Sequence, residues 1–246
     1  MKEKSMKTLL DVIFEACRSH ALAMEYYDLG VAKYNSGDKR GAIEDYDKAL
    51  ELYPEYVEAY CMRGIAKFQL DDNLEAIKDF DKAIKIDPEY VEVYGNRGSV
   101  KLRLGDNKGA LKDYNKFIKL NPEDAKAYCM RGAVKSQLGY EAEALKDFNK
   151  AIKLNPEDFW SYHARSISKE RLGDNIGAIR DLNKAIELNP EDAWSYYNRS
   201  ILKHNLKNRR GAIKDAKKAQ ELALKNGDTV LSQKLIKFIN LVLNCE

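Results

Sequence analysis

The sequence predicts an all-α solenoid, in which pairs of short helices stack one after another along the chain. Three observations lead to this prediction. All five prolines of the 246 residues lie 34 positions apart, at Pro54, Pro88, Pro122, Pro156 and Pro190. Many other residue types recur with the same period. Within each period, apolar residues follow helical spacing in two blocks separated by a turn.

The recurring columns extend well beyond the prolines. An aspartate, a lysine and an alanine each recur six times at this period, and an arginine recurs five times, from Arg63 to Arg199. One column holds glycine four times and then serine twice: Gly30, Gly64, Gly98, Gly132, Ser166 and Ser200. Because a recurring residue serves every copy of the unit, these columns predict structural roles. Function is expected where the copies differ.

Each unit is predicted to contain two helices. In the third unit the first helix covers 91–104, Gly105 ends it, and Asp106 caps the second. The second helix stops before Pro122, which cannot continue it. Glycine inside the first helix costs about 0.5–1 kcal/mol relative to alanine, so its recurrence predicts a very close neighbouring helix. Later first helices have their own candidate N-caps, Asp124, Asp158 and Asp192.

The repeat resembles the tetratricopeptide repeat family, whose pattern is aromatic, leucine-glycine, alanine, aromatic, alanine and proline. In the first unit these are Tyr26, Leu29, Gly30, Ala42, Tyr46, Ala49 and Pro54. The chain departs from the pattern where arginine replaces the leucine after the first unit, at Phe117, and at Leu224. The resemblance implies an α-solenoid, a right-handed superhelix of about six helix-turn-helix repeats with a capping helix at each end.

The predicted segments follow the period. They are an N-terminal capping helix at 1–22, six repeats within 23–226 (23–56, 57–90, 91–124, 125–158, 159–192 and 193–226), and a C-terminal capping helix at 227–246. Apolar stripes support both caps: Leu9, Leu10, Ile13, Phe14 and Cys17 in the first, and Leu231, Leu235, Phe238, Ile239, Val242 and Leu243 in the second. We expect a monomer, with a dimer through the C-terminal helix as the alternative.

Charge and cysteine content narrow the function classes. The 42 basic and 39 acidic residues are intermixed and leave a net charge of +3, so no nucleic-acid partner is expected. No apolar run approaches the ~20 residues that span a bilayer, so no membrane contact is expected. Four cysteines without paired spacing predict a cytoplasmic protein: Cys17, Cys61, Cys129 and Cys245.

One basic column recurs every 34 residues from Lys33 to Lys203. Each lysine falls near a predicted helix C-terminus, where a cation meets the negative end of the helix dipole. A phosphate-bearing ligand along the column is the alternative. The arginine and aspartate columns predict structural ion pairs, either within a unit or across a junction.

The sequence shows no catalytic constellation. His20, His163 and His204 lack metal-ligand spacing with the cysteines, and no glycine loop could hold a phosphate. We therefore predict no enzyme activity, no metal and no cofactor.

The variable columns are where function is predicted. The resemblance implies that each first helix lines a concave groove, and its second, fifth, ninth and twelfth residues share one side. Both tryptophans fall in this stripe in adjacent units, and tryptophan is enriched at binding hot spots. The predicted partner-binding residues there are Trp160, His163, Ile167, Glu170, Trp194, Tyr197, Ile201 and His204. The alternative is that the tryptophans only pack as spacers.

Some family members hold the carboxylate of chaperone peptides with a clamp of basic and amide side chains. Asn96 and Lys126 match that pattern and remain candidate groove residues, but Cys61, Ile65 and Met130 do not match, so chaperone-tail binding is not predicted. The predicted function is a non-catalytic scaffold or adaptor that binds a peptide or helix of a partner protein. The alternative is a regulatory or sensory module that binds a small molecule or nucleic acid.

Overall fold

The computed structural model describes the backbone of residues 2–244 and the side chains of residues 11–243. Within that range the chain forms thirteen α-helices and no β-strand. Contacts divide it into two units, residues 1–122 and 123–246. The first contains α1 (Lys2–Asn35), α2 (Lys39–Leu52), α3 (Val57–Gln69), α4 (Asn73–Ile86), α5 (Val91–Arg103) and α6 (Asn107–Leu120). The second contains α7 (Ala125–Gln137), α8 (Glu141–Leu154), α9 (Phe159–Arg171), α10 (Asn175–Leu188), α11 (Ala193–Asn205), α12 (Arg209–Lys225) and α13 (Thr229–Asn244). The predicted all-α solenoid of repeated helix pairs is confirmed.

The helix boundaries follow from the predicted turn and cap residues. Gly105 adopts a φ of +79°, which favours glycine, and ends α5 as expected. The backbone N–H of Gly109 donates to the carboxylate of Asp106 over 2.9 Å at the start of α6. The three predicted aspartate caps likewise accept a backbone N–H at the starts of α7, α9 and α11: Asp124, Asp158 and Asp192.

The N-terminal capping prediction needs correction. The segment 1–22 is not a separate helix, because α1 runs without a break from Lys2 into the first helix of the first repeat. Of its predicted apolar stripe, Ile13 and Phe14 are 51% and 73% exposed, so they are not part of a buried core. The side chains of Leu9 and Leu10 lie outside the described residues, as does Cys245.

The C-terminal helix buries most of its predicted stripe. Leu231, Leu235 and Val242 are fully buried, and Ile239 is nearly so. Leu231, Leu235 and Ile239 form one core with alanines of α12 and with Leu222. Leu243 is the exception and remains half exposed. The apolar side of α13 is therefore buried against α11 and α12, as it would be in a capping helix.

The glycine column allows each first helix to lie directly against an aromatic ring of its second helix. A methyl group added at Gly64 would lie 2.7 Å from the Phe80 ring, and one at Gly132 would lie 2.8 Å from the Phe148 ring. Because real Cβ contacts are longer than this, the glycine is required by the ring. The predicted close approach is confirmed, and its cause is a side chain of the paired helix.

The last two repeats reach the same fit with different residues. Where the column changes to Ser166 and Ser200, the position of the ring is taken by Leu182 and Ala216, sixteen residues later as in the other repeats. Leu182 and Ala216 are fully buried. Each serine hydroxyl donates to a carbonyl of its own helix over 2.6 Å. In both repeats a larger residue than glycine thus accompanies a smaller neighbour than an aromatic ring.

We predict that Gly132→Ala lowers the free energy of unfolding by about 1–2 kcal/mol, measured by urea denaturation. Overpacking against the Phe148 ring costs more than the alanine gains in helix propensity. Adding Phe148→Leu should recover part of the loss, since the pair then approaches the serine and leucine pair at 166 and 182. Gly98→Ala, with its ring 3.1 Å away, should cost less. A Gly132→Ala variant as stable as the parent would contradict the argument.

A buried aspartate in every second helix pairs with the first helix of its own repeat, through an arginine and a lysine in five repeats and through the lysine alone in the first. The six aspartates of this column are at most 4% exposed. In five repeats the arginine binds the carboxylate through two hydrogen bonds, with Nε 2.7–2.9 Å from Oδ2 and Nη2 2.5–2.8 Å from Oδ1. The structure therefore decides between the two pairings that the sequence allowed. The arginine pairs with the aspartate of its own repeat.

The lysine column completes the same arrangement. Each lysine Nζ lies 2.6–2.8 Å from the buried aspartate of its own repeat, from Lys33 with Asp45 to Lys203 with Asp215. Asp45, which has no arginine partner in this column, is thereby paired. The column is thus explained by direct ion pairs, in addition to the helix-dipole effect. Every lysine of the column already has a buried carboxylate partner, which disfavours the alternative of a phosphate-bearing ligand.

The arginine also reaches back to the preceding repeat. Arg63 Nη1 lies 2.5 Å from Asp47, and Arg97 Nη1 lies 2.5 Å from Asp81. In later repeats an amide takes this place: Asn149 accepts from Arg165, and Asn183 accepts from Arg199, both over 2.7 Å. The buried column is always aspartate, whereas the exposed column tolerates a neutral residue.

We predict that the two carboxylates on Arg97 differ sharply in their contribution to stability. Asp113→Asn leaves Arg97 and Lys101 without their buried counter-charge and should lower the free energy of unfolding by about 3 kcal/mol. Asp81→Asn changes an exposed partner and should cost less than about 1 kcal/mol. Urea denaturation of the two variants measures both values. Equal losses would show that burial does not set the strength of these pairs.

Candidate functional site

The predicted binding stripe of the second unit lies on α9 and α11, which a buried histidine joins. His163 on α9 is 4% exposed. Its Nδ1 lies 2.8 Å from the Ser195 hydroxyl and 3.3 Å from Asp192, while the Asn198 amide donates to its Nε2 over 3.2 Å. Both ring nitrogens are therefore occupied by groups of α11 and its N-cap, which fixes the plane of the imidazole.

Trp160 lies flat on this fixed imidazole. The two ring centroids are 5.2 Å apart and the planes are tilted by 12°. The indole is nevertheless 47% exposed, so one side of it rests on protein and much of the remainder faces solvent. His163 thus supports Trp160 and offers little surface of its own. A preorganised aromatic ring loses little conformational entropy when it binds a partner.

Asp192 stabilises the same junction from the start of α11. Its carboxylate accepts the backbone N–H of Ser195 over 3.0 Å. Burial alone would raise the pKa of this carboxyl group, but hydrogen bonds from His163 and Ser195 outweigh burial and hold the pKa below its ordinary value. A charged N-cap therefore links the helix end to the histidine beneath Trp160.

Trp194 has the equivalent position on α11 and is 38% exposed. Tyr197 contacts it edge to face, with ring centroids 6.0 Å apart. The ammonium group of Lys234, on α13, lies 5.4 Å from the centre of the indole ring. This cation–π contact connects the indole to the C-terminal helix. Both tryptophans are thus held by neighbours yet remain partly open to solvent.

The terminal helix covers part of the predicted stripe in the sixth repeat. Phe238 contacts Tyr197 and His204 edge to face, at centroid distances of 6.2 and 5.8 Å. Tyr197 and His204 therefore pack against α13 and are only half accessible. Ile167 and Ile201 are also half-buried.

Glu170 ends the predicted stripe of the fifth repeat. Burial raises the pKa of its carboxyl group, and the neighbouring Arg171 only partly offsets that effect. Among the described residues, the Glu170 carboxylate has no hydrogen-bond or ion-pair partner.

The two residues taken from the clamp pattern lie in different units. Asn96 belongs to the first unit, and its amide nitrogen lies 3.6 Å from the Cys61 sulfur. Burial raises the pKa of that thiol to about 12, so Cys61 stays protonated and unreactive. Lys126 belongs to the second unit and is exposed in the first turn of α7.

Sequence reasoning missed the residues that hold the tryptophans in place. Lys234 lies outside the repeated region, so no periodic column pointed to it. Ser195 and Asn198 stand in the repeat, but only the fold shows that they meet the ring of a histidine 32 and 35 residues earlier. In the sequence, Ser195 and Asn198 can only be seen to lie next to the predicted binding stripe. That position does not show which residue their side chains contact.

No cluster of three histidine, cysteine, aspartate or glutamate side chains suitable for a metal ion occurs in residues 11–243. Across the described helices, none combines the length and apolar character needed to traverse a bilayer. Cys17, Cys61 and Cys129 are free thiols.

Sequence models of tetratricopeptide repeats match residues 27–91, 98–139, 125–158 and 161–192. The chain belongs to the tetratricopeptide repeat family. Such proteins generally bind protein partners, and no enzyme family is indicated. No curated protein sequence matches the chain significantly.

Solved structures of tetratricopeptide proteins share the fold. MamA is 27% identical over 70% of this chain and 94% of its own, with a TM-score of 0.62. YrrB, described as a tetratricopeptide protein with an unusual peptide-binding site, is 22% identical over 78% of this chain and 97% of its own, with a TM-score of 0.60. PilF of Pseudomonas aeruginosa is 18% identical over 89% of this chain and 98% of its own, with a TM-score of 0.74.

We predict that His163 keeps Trp160 ordered. In a Trp194→Phe background Trp160 is the remaining tryptophan, and His163→Ala should reduce its near-ultraviolet circular dichroism because the ring loses its stacking support. His204→Ala removes a ring that contacts Phe238 and should leave this signal largely unchanged. An unchanged spectrum in the His163 variant would mean that the stack does not orient the indole.

Proposed function

We propose that this repeat protein is a non-catalytic scaffold or adaptor that binds a peptide or helix of a partner protein. The observation that carries the proposal is the pair of partly exposed tryptophans at equivalent positions of α9 and α11. Each is held by its own neighbours, Trp160 by His163 and Trp194 by Tyr197 and Lys234. The fifth and sixth repeats, predicted at 159–192 and 193–226, carry these two tryptophans.

The chemistry of the face favours an apolar or aromatic segment of the partner. Indole rings supply large contact areas at low entropic cost, and they are among the side chains that dominate binding hot spots. The half-buried Ile167 and Ile201 add apolar surface on the same two helices. The peptide-binding site described for YrrB, a protein with the same fold, is consistent with this use of the repeats.

The proposal assigns different roles to the predicted residues. Trp160 and Trp194 make the contacts, whereas His163 supports the first of them. Tyr197 and His204 link the face to α13. Asn96 and Lys126 have no role at this face. The monomeric state and the cytoplasmic location expected from the sequence remain predictions.

The test begins with capture of a partner by the full chain from its native host, followed by affinity measurement on the purified pair. Trp160→Ala and Trp194→Ala should each weaken binding by at least about tenfold, because truncation of a hot-spot aromatic residue removes ~2 kcal/mol or more.

Ile176→Ala provides the matched control. Ile176 is a 64% exposed apolar residue of the same repeat as Trp160, but it lies on the second helix, α10. Its replacement should leave the affinity unchanged. If both tryptophan variants bind the captured partner as well as the parent does, the indoles are spacers and the proposed face is wrong.

A further inference from the structure

The first unit contains an open cleft of about 490 Å³ that the repeat pattern does not explain. Its walls come from α1, from the connection between α2 and α3, and from the connection between α4 and α5. Known small-molecule sites have volumes of about 300–1,000 Å³, so the space suits a side chain or a small ligand. All of its lining residues belong to residues 1–122.

Three tyrosines form the aromatic part of the cleft: Tyr53, Tyr56 and Tyr90. The rings of Tyr53 and Tyr56 lie 5.7 Å apart between centroids. His20 packs edge to face on Tyr53 at 4.7 Å, and Tyr27 packs on Tyr56 at 5.0 Å. These contacts hold the rings in place without a ligand, so the aromatic surface is preorganised.

The charged residues of the lining all carry negative charge. Glu55, Glu58 and Asp87 contribute carboxylates, and the lining contains no lysine or arginine. Asp87 accepts the backbone N–H of Glu89 over 2.8 Å. Glu55 and Glu58 are exposed, and neither forms an ion pair with any described residue. The cleft therefore holds uncompensated negative charge beside aromatic rings.

The raised pKa values of two cleft tyrosines agree with this negative charge. Burial, followed by the neighbouring Tyr27 and the negative charges of Glu58 and Asp28, raises the pKa of Tyr56 to about 12. The pKa of Tyr90 is raised as well, first by burial and then by neighbours that include Glu92 and Glu58. A nearby cation would oppose these shifts, and none contributes.

We propose that this cleft binds a cationic group, an alkylammonium or a guanidinium, as carried by a lysine or arginine side chain of a peptide. A cation over a tyrosine face is attracted by the ring quadrupole, and the carboxylates add Coulombic attraction. Glu58 stands second in α3, the position that Trp160 and Trp194 occupy in α9 and α11. The cleft thus uses the same helix position for a different chemistry.

This site does not depend on the tryptophan face. Its residues belong to the other compact unit, and its observations are a cleft, fixed rings and unpaired carboxylates. The double variant Trp160→Ala/Trp194→Ala should therefore leave cation binding unchanged, which separates failure of the one proposal from failure of the other.

The experiment is a titration of the full chain, methyl-labelled at methionine, valine and isoleucine, observed by NMR. Met24, Val57 and Ile86 line the cleft and serve as reporters. The probes are the capped tripeptides acetyl-Gly-Lys-Gly-amide and acetyl-Gly-Arg-Gly-amide, the same peptide with norleucine in place of lysine, and tetramethylammonium chloride. Both cationic peptides should shift the reporter methyl resonances and bind at least about fivefold more tightly than the norleucine peptide. Raising the salt concentration should weaken their binding.

Carboxylate variants test the charge directly. Glu55→Gln/Glu58→Gln should lower the affinity for the lysine peptide by about fivefold or more, because it removes two of the three negative charges of the cleft. Both residues are exposed, so the variant should fold normally, which its circular dichroism checks. Glu44→Gln is the matched control: it removes an exposed carboxylate of α2, in the same compact unit, that does not line the cleft. It should retain nearly all of the affinity.

The outcomes are distinct. The site is supported if the reporter methyl shifts saturate with the cationic peptides and if these peptides bind the double glutamine variant more weakly. Tighter binding of tetramethylammonium at the same methyl groups also supports it and assigns the cation to a small quaternary ligand. Equal binding of the norleucine peptide, unchanged binding by the double glutamine variant, or absence of reporter shifts with every cation would overturn it.

Discussion

The buried aspartate of each repeat is the group on which the rest of the structure depends. It is almost completely removed from water, and a charge in that position is tolerable only when it is paired and hydrogen-bonded. The lysine of the paired first helix, joined by an arginine in five of the six repeats, satisfies it, and this fixes the register of the two helices. Because the arginine also reaches an oxygen of the preceding repeat, one side chain couples packing within a repeat to packing between repeats.

Close packing adds a second constraint to this electrostatic one. The glycine column lets an aromatic ring lie against the backbone of the first helix, and the serine column accepts a smaller neighbour in the last two repeats. Nearly every recurring residue is thus committed to structure. The surface left for recognition consists of positions that change from repeat to repeat, which is why the fold by itself does not identify a partner.

Those variable positions give the two units different chemistry. At the second residue of the first helix, α3 carries a glutamate beside tyrosine rings, whereas α9 and α11 carry tryptophans. A partner that places a cation at one end of the chain and an apolar segment at the other would use both. The repeated fold therefore places side chains of different chemistry at equivalent helix positions.

The periodicity by itself determined the helix pairs, their caps, the glycine contact and the existence of the ion-pair columns, because each follows from local rules applied every 34 residues. It also led to Trp160 and Trp194 as candidate contact residues. Tertiary structure alone decided that the arginine pairs with the aspartate of its own repeat. It also decided that His163 lies buried beneath Trp160 and that α1 continues without a break at residue 22. It also brought Lys234 to Trp194 and gathered tyrosines and carboxylates from three chain segments into one cleft. These features depend on distances between residues far apart in sequence, which a 34-residue period does not contain.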